Sequence, residues 1–121
     1  MRISVLDFTG CVEKDDFFDR IIEALGLGVG YCGRNWSAIY DFSRTEIIPE
    51  KLEITGSSSL KGYLELLYSR DLFRILEKIK EYYEKYNEVF EYEVIDWRGS
   101  RLYENISIGF YGMCGRERFL R

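Results

Sequence analysis

Residues 72–97 read LFRILEKIKEYYEKYNEVFEYEVIDW, and the change of period within this stretch decides the fold class. In its first half Leu72, Ile75, Leu76, Ile79, Tyr82, Tyr83 and Tyr86 recur three and four residues apart, which is one face of a helix. Glu81 and Lys85 form a favourable pair one turn apart on another face, where charges solvate the helix. From residue 88 the period falls to two. EVFEYEVIDW (88–97) alternates apolar or aromatic residues with acids, as a strand does. If a strand also precedes this helix, the connection is a crossover, and crossovers join parallel strands.

Upstream, such strands are present. KLEIT (51–55) is short, with Leu52 and Ile54 as its apolar face, and Gly56 and the serines after it break it. Between it and the long helix, Leu60, Tyr63, Leu64 and Leu67 have helical spacing and predict a third helix. At the start of the chain, RISVLDF (2–8) carries Ile3, Val5 and Leu6 and predicts the opening strand, which Thr9 and Gly10 end. Asp15 and Asp16 then stand where an N-cap and a first-turn acid belong. Phe17, Phe18, Ile21, Ile22 and Leu25 follow at helical spacing, so 15–26 is expected as an amphipathic helix stopped by Gly26, Gly28 and Gly30. Asn35 caps a short helix from Trp36 to about Ser43, and Pro49 marks the turn that follows.

The order is strand, helix, short helix, strand, helix, helix, strand. It predicts a single α/β domain over 1–121, a small parallel sheet packed with helices in two or three layers. Downstream, RGS (98–100) is a turn signal and RLYENISIGF (101–110) predicts an extra C-terminal antiparallel strand, the return arm of a hairpin. Residues 98–121 thus form an extension, whose last stretch, YGMCGRERFLR, has no assignable pattern.

The composition narrows the function. The 121 residues are 46% hydrophobic and 31% charged, the balance of a folded domain. A net charge of −4 argues against a dedicated nucleic-acid binder and suits a basic protein partner, whose approach the long-range field accelerates. The chain lacks histidine, so imidazole acid–base work and histidine metal ligation are excluded. GLGVGYCG (26–33) is glycine-rich but follows a helix pattern and lacks the Lys-Ser/Thr pair of a phosphate loop. Cys11, Cys32 and Cys114 have neither zinc nor disulfide spacing. With no signal-peptide pattern and no apolar run near the ~20 residues that span a bilayer, the expected location is cytoplasmic, away from membranes. Carboxylate pairs are unavoidable among 21 acids and single out no catalytic site. The reading is a non-enzyme with no cofactor and no metal.

The remaining signal is Tyr31 to Asp41, YCGRNWSAIYD. On a helical wheel at about 100° per residue, Ala38, Ile39 and Phe42 fall together as the inward face. Ser37, Tyr40, Asp41 and Arg44 fall opposite, an aromatic, an acid and small polar groups of the kind a recognition helix needs. This stretch resembles the signature of the barstar family, small intracellular inhibitors that occlude the active site of a secreted ribonuclease; its pattern is Y-Y-G-x-N-L-D-A-L-W-D. Tyr31, Gly33, Asn35, Ala38 and Asp41 match outright, and Trp36, Ile39 and Tyr40 match in character. The element order agrees, so the likeness covers residues 2–96, with 31–41 as its specific part. It departs at Ser37, where the family has an acid, at Arg34 and Arg44, which add positive charge, and in the C-terminal extension.

The resemblance implies that Asp41 enters a cationic, phosphate-binding site in place of a substrate phosphate. Tyr31, Asn35, Trp36 and Tyr40 would supply contact area and loop register, and Gly33 close approach, with Ser37 and Arg44 on the same face. The plain alternatives are a solvated carboxylate for Asp41 and packing at the helix start for Tyr31 and Trp36. The expected function is an intracellular inhibitor, or immunity protein, of a basic ribonuclease toxin. One alternative keeps the scaffold but turns it on a toxin that is not a ribonuclease, using residues 98–121. Another is an RNA-associated module built on Arg98, Arg101, Arg116, Arg118 and Arg121.

Overall fold

A computed structural model describes residues 2–95; the expected hairpin and the 98–121 extension lie outside the described residues. The chain forms β1 (Ile3–Asp7), α1 (Lys14–Leu25), α2 (Trp36–Thr45), β2 (Lys51–Thr55), a 3-10 turn (Ser57–Ser59), α3 (Tyr63–Leu66), α4 (Phe73–Lys85) and β3 (Glu91–Val94). The strands lie in the order β1-β2-β3 and all run parallel, with Ser4 opposite Leu52 and Leu52 opposite Tyr92. Every connection between them therefore crosses over through helix, as the alternation of periods predicted.

Side chains two apart along a strand share a face. Leu6, Leu52 and Ile54 are buried on one face, beneath the helices, with Phe8 and Phe90 buried beyond the strand ends. Each such side chain taken fully from water contributes about 1.5–3 kcal/mol. Ile3 and Val5, read with Leu6 as one apolar group, lie on the opposite face and are exposed, 54% and 56%. Parity within β1 requires this once Leu6 points inward. Among the described residues that outer face is charged rather than covered: Lys51 Nζ lies 2.9 Å from a carboxylate oxygen of Glu93, which holds the ammonium pKa above its ordinary value. The helices thus form one layer on the sheet.

Helix α1 begins one residue earlier than expected, with Glu13 at the N-cap and Asp15 and Asp16 both in the first turn. Gly26 ends it in the left-handed conformation (φ 76°), its N–H donating to Glu23 O while Leu27 N–H donates to Ile22 O. Arg20 ties the helix to β1 by donating to the carbonyls of Asp7 and Thr9 at 2.9 and 2.7 Å. The two helices expected after β2 are joined. The backbone remains helical from Tyr63 to Lys85, and a π-helical segment (Leu67–Leu72) connects α3 to α4. The wider turn lets Leu64, Leu67, Leu72, Leu76 and Ile79 all reach the core from one run.

Candidate partner-binding site

The loop between α1 and α2 is fixed at several points before α2 starts. Tyr31 and Cys32 both donate their backbone N–H to Gly28 O at 3.0 Å. The Cys32 side chain is buried, and burial pushes its thiol pKa up, so it acts as a small apolar anchor. Arg34 grips α1: its Nε and Nη2 donate to the two carboxylate oxygens of Asp19 at 2.9 and 3.0 Å, and Nη1 lies 3.5 Å from Asp15. The Arg34 guanidinium holds the Asp19 carboxyl below the usual carboxylate range. The charge that Arg34 adds to the motif is therefore spent on the scaffold.

Asn35 starts α2 as its sequence position predicts. Its Oδ1 accepts from the Ala38 N–H at 2.8 Å, satisfying one of the helix's free donors. Gly33 is not in the left-handed region; its requirement is space. A Cβ at Gly33 would lie 3.0 Å from Asn35 Nδ2 and 3.3 Å from the Ala38 Cβ, against the cap itself. Trp36 turns toward α1, with ring centroids 4.9 Å from Phe18 and 6.3 Å from Phe17, and is half-buried. On α4's side, Arg70 holds the Asp71 carboxyl below the usual carboxylate range. Gly33, Asn35 and Trp36 position α2.

Other sequence-predicted residues make the presented surface. Tyr31 is 75% exposed, its ring resting edge-on against half-buried Phe42 at 5.4 Å. Ser37 and Asp41 are exposed on α2 itself, with the Asp41 side chain at 63%. Arg44 Nη2 donates to Asp41 Oδ1 at 2.6 Å. Tyr40 is half-buried rather than fully outward, because α4 runs beside α2. Its ring carries the Arg44 guanidinium at 4.6 Å and Lys78 Nζ from α4 at 5.6 Å. The inward face is as the wheel predicted at Ile39, which is fully buried, and it also includes Ser43. That hydroxyl donates to Ile39 O at 2.7 Å, and Tyr83 donates to the Ser43 carbonyl at 2.6 Å.

Lys78 and Tyr82, which lies 5.9 Å from the Arg44 guanidinium, were not predicted as part of this surface. Their signal was present but ambiguous. They stand four apart on the helix read as one long apolar stripe, and only the α2–α4 packing separates Tyr83, turned inward, from Tyr82, turned to Arg44. Beyond Arg44 the surface opens into a groove of about 480 Å³ lined by Glu46, Ile47, Tyr83, Glu88 and Val89 among others. Among the described residues no group of His, Cys, Asp and Glu side chains is placed to hold a metal ion. Nor is any described helix long and apolar enough to cross a membrane.

A family model described as Barstar (barnase inhibitor) matches residues 1–95. The chain belongs to the barstar family. Neither the curated proteins nor the solved structures contain a significant match. The barstar family is one of ribonuclease inhibitors, proteins that act by binding rather than by catalysis. The parallel three-stranded sheet with its helices is the α/β fold expected of a barstar-like chain. The match ends at residue 95.

Proposed function

We propose that this chain is a cytoplasmic immunity protein that binds and occludes the active site of a basic ribonuclease toxin, protecting the cell that makes it. The observation that carries this reading is the position of Asp41. It is the one carboxylate of α2, exposed next to Tyr40 on a helix whose start is clamped by Asn35 and Arg34, with exposed Tyr31 packed on the following residue, Phe42. A ribonuclease must hold phosphates in a cationic site. A carboxylate on a rigid helix, flanked by aromatic contact area, can occupy such a site in place of a phosphate. Tyr31 and Tyr40 then supply contact area, while Gly33, Asn35 and Trp36 set the register of loop and helix. The test is capture from the native cell with a tagged chain as bait, beside an Asp41→Ala bait, with retained proteins renatured and assayed on RNA. The expected result is a basic, RNA-cleaving protein held by the wild type and lost by the variant. A partner held equally by both baits overturns the assignment of the site to α2.

A second reading is favoured by the ion pair of Asp41 with Arg44 and by Ser37, which together leave little free negative charge on this face. It keeps the immunity role but places the target among toxins that are not ribonucleases, engaged partly by residues 98–121. A bait lacking 98–121 that loses its partner, while the Asp41→Ala bait keeps it, supports this second reading over the first.

A further inference from the structure

We infer that Arg44 is a specificity-determining residue of this surface: it withholds Asp41 from partners whose site is uniformly cationic. This rests on the inhibitor reading above and adds to it the kind of site the face accepts.

Arg44 is not a loose surface cation. Its guanidinium meets Asp41 at 2.6 Å one turn along α2, stacks over Tyr40 at 4.6 Å and lies 5.9 Å from the Tyr82 ring. A planar guanidinium loses little freedom on such a platform, so it is pre-organised over the acid. The helix favours the arrangement. Arg44 is in the last turn, where the macrodipole stabilises a cation, and Asp41 lies three residues before it on the same face.

At the Tyr40 ring itself cations predominate, while the acids Glu46, Glu50 and Glu88 line the groove beyond Arg44. The protein carries −4, yet the Tyr40 ring is flanked by two cations, Arg44 and Lys78, against the single carboxylate of Asp41. The other arginine of the motif behaves differently: Arg34 is taken up by Asp15 and Asp19 of α1 and leaves this face alone. A partner offering only cations must separate Asp41 from Arg44, and then meets Arg44 and Lys78 as like charges in a drying interface. Like charges brought together there are penalised far more than in water. The partner that fits this face sets an anionic group beside its cationic pocket, where Arg44 can pair with it.

An exposed ion pair by itself contributes little, so a merely decorative Arg44 would leave binding unmoved, and that difference is measurable. The probe is barnase, the ribonuclease in the family's description, titrated calorimetrically with the full chain as wild type, Arg44→Ala, Arg44→Lys, Asp41→Ala and the Arg44→Ala/Asp41→Ala double variant. Arg44→Ala is expected to bind at least tenfold tighter than wild type. Arg44→Lys, which keeps the charge but loses the planar stack, is expected to gain less, and the gain from Arg44→Ala is expected to shrink when Asp41 is absent. Equal or weaker binding by Arg44→Ala overturns the inference. So does a gain of the same size without Asp41, or no binding by either wild type or Arg44→Ala. The inhibitor reading fails separately, if barnase binds and Asp41→Ala leaves its Kd unchanged.

Discussion

The two ends of α2 use the same chemistry for opposite purposes. At its start, Arg34 makes a forked contact with Asp19 and reaches Asp15, Asn35 caps the first turn, and Trp36 packs on Phe17 and Phe18. The Arg34 and Trp36 contacts join the loop and helix to α1, and the Asn35 cap fixes the first turn of α2 itself. In the C-terminal half, Arg44 pairs with Asp41 on the helix's own surface, over Tyr40, with solvent on the other side. An arginine's role is thus set by which carboxylates the fold brings to it. Those of Arg34 lie on another element and its pairing is structural; that of Arg44 lies one turn away on the presented face.

The contrast can be broken at either end. The largest effect is expected beneath both halves. Ile39 is fully buried on the inward face, and Ile39→Ala should lower unfolding free energy by about 2–5 kcal/mol in a denaturant titration. A loss near zero would mean α2 is not seated on the core as described. Next comes Asp41→Ala, expected to cost about 2 kcal/mol or more of partner binding. Its stability should stay within about 0.5 kcal/mol of wild type, as for an exposed surface position; a comparable loss of stability would make Asp41 part of the scaffold.

At the scaffold end, Asn35→Ala should cost about 1 kcal/mol of stability through the lost cap. Measured by thermal or chemical unfolding, an unchanged value would show that α2 does not need it. The smallest effect concerns acid. The Asp19 carboxyl is held below its usual range by Arg34, so its folded pKa lies under its unfolded value of about 3.9. Its contribution to stability is complete above that unfolded value and is lost as pH falls through the folded one. Unfolding measured from pH 6 downward should steepen below about pH 4, and Arg34→Ala should flatten that limb. An identical acid limb in the variant would remove Arg34 from the scaffold.

Much of this was legible along the chain, because local rules agree with the global result. Alternation at Leu52 and Ile54, the 3.6-residue stripe of α4, the stop at Gly26 and the cap at Asn35 are each dictated within a few residues. The failures occur where neighbours in space overrule neighbours in sequence. Ile3, Val5 and Leu6 marked the opening strand without saying which face was buried; Leu6 takes the inward position, and strand parity puts Ile3 and Val5 on the outer face. Gaps in the apolar pattern suggested two helices after β2, yet one helical run with a π-turn keeps its leucines aimed at a single core. Tyr40 looked outward on an isolated wheel and is half-covered once α4 lies alongside.

The candidate site divides in the same way. From the sequence alone came the succession of strands and helices, the parallel sheet, and the stretch from Tyr31 to Asp41 with its lone helical acid, since period, caps and motif spacing are properties of adjacent residues. Only the tertiary structure decided that Arg34 belongs to α1 and Arg44 to the presented face, and that Lys78 and Tyr82 join that face from α4. The reason is range: a hydrogen bond or a cation over a ring acts across a few ångströms, and which groups come that close is settled only when the helices pack.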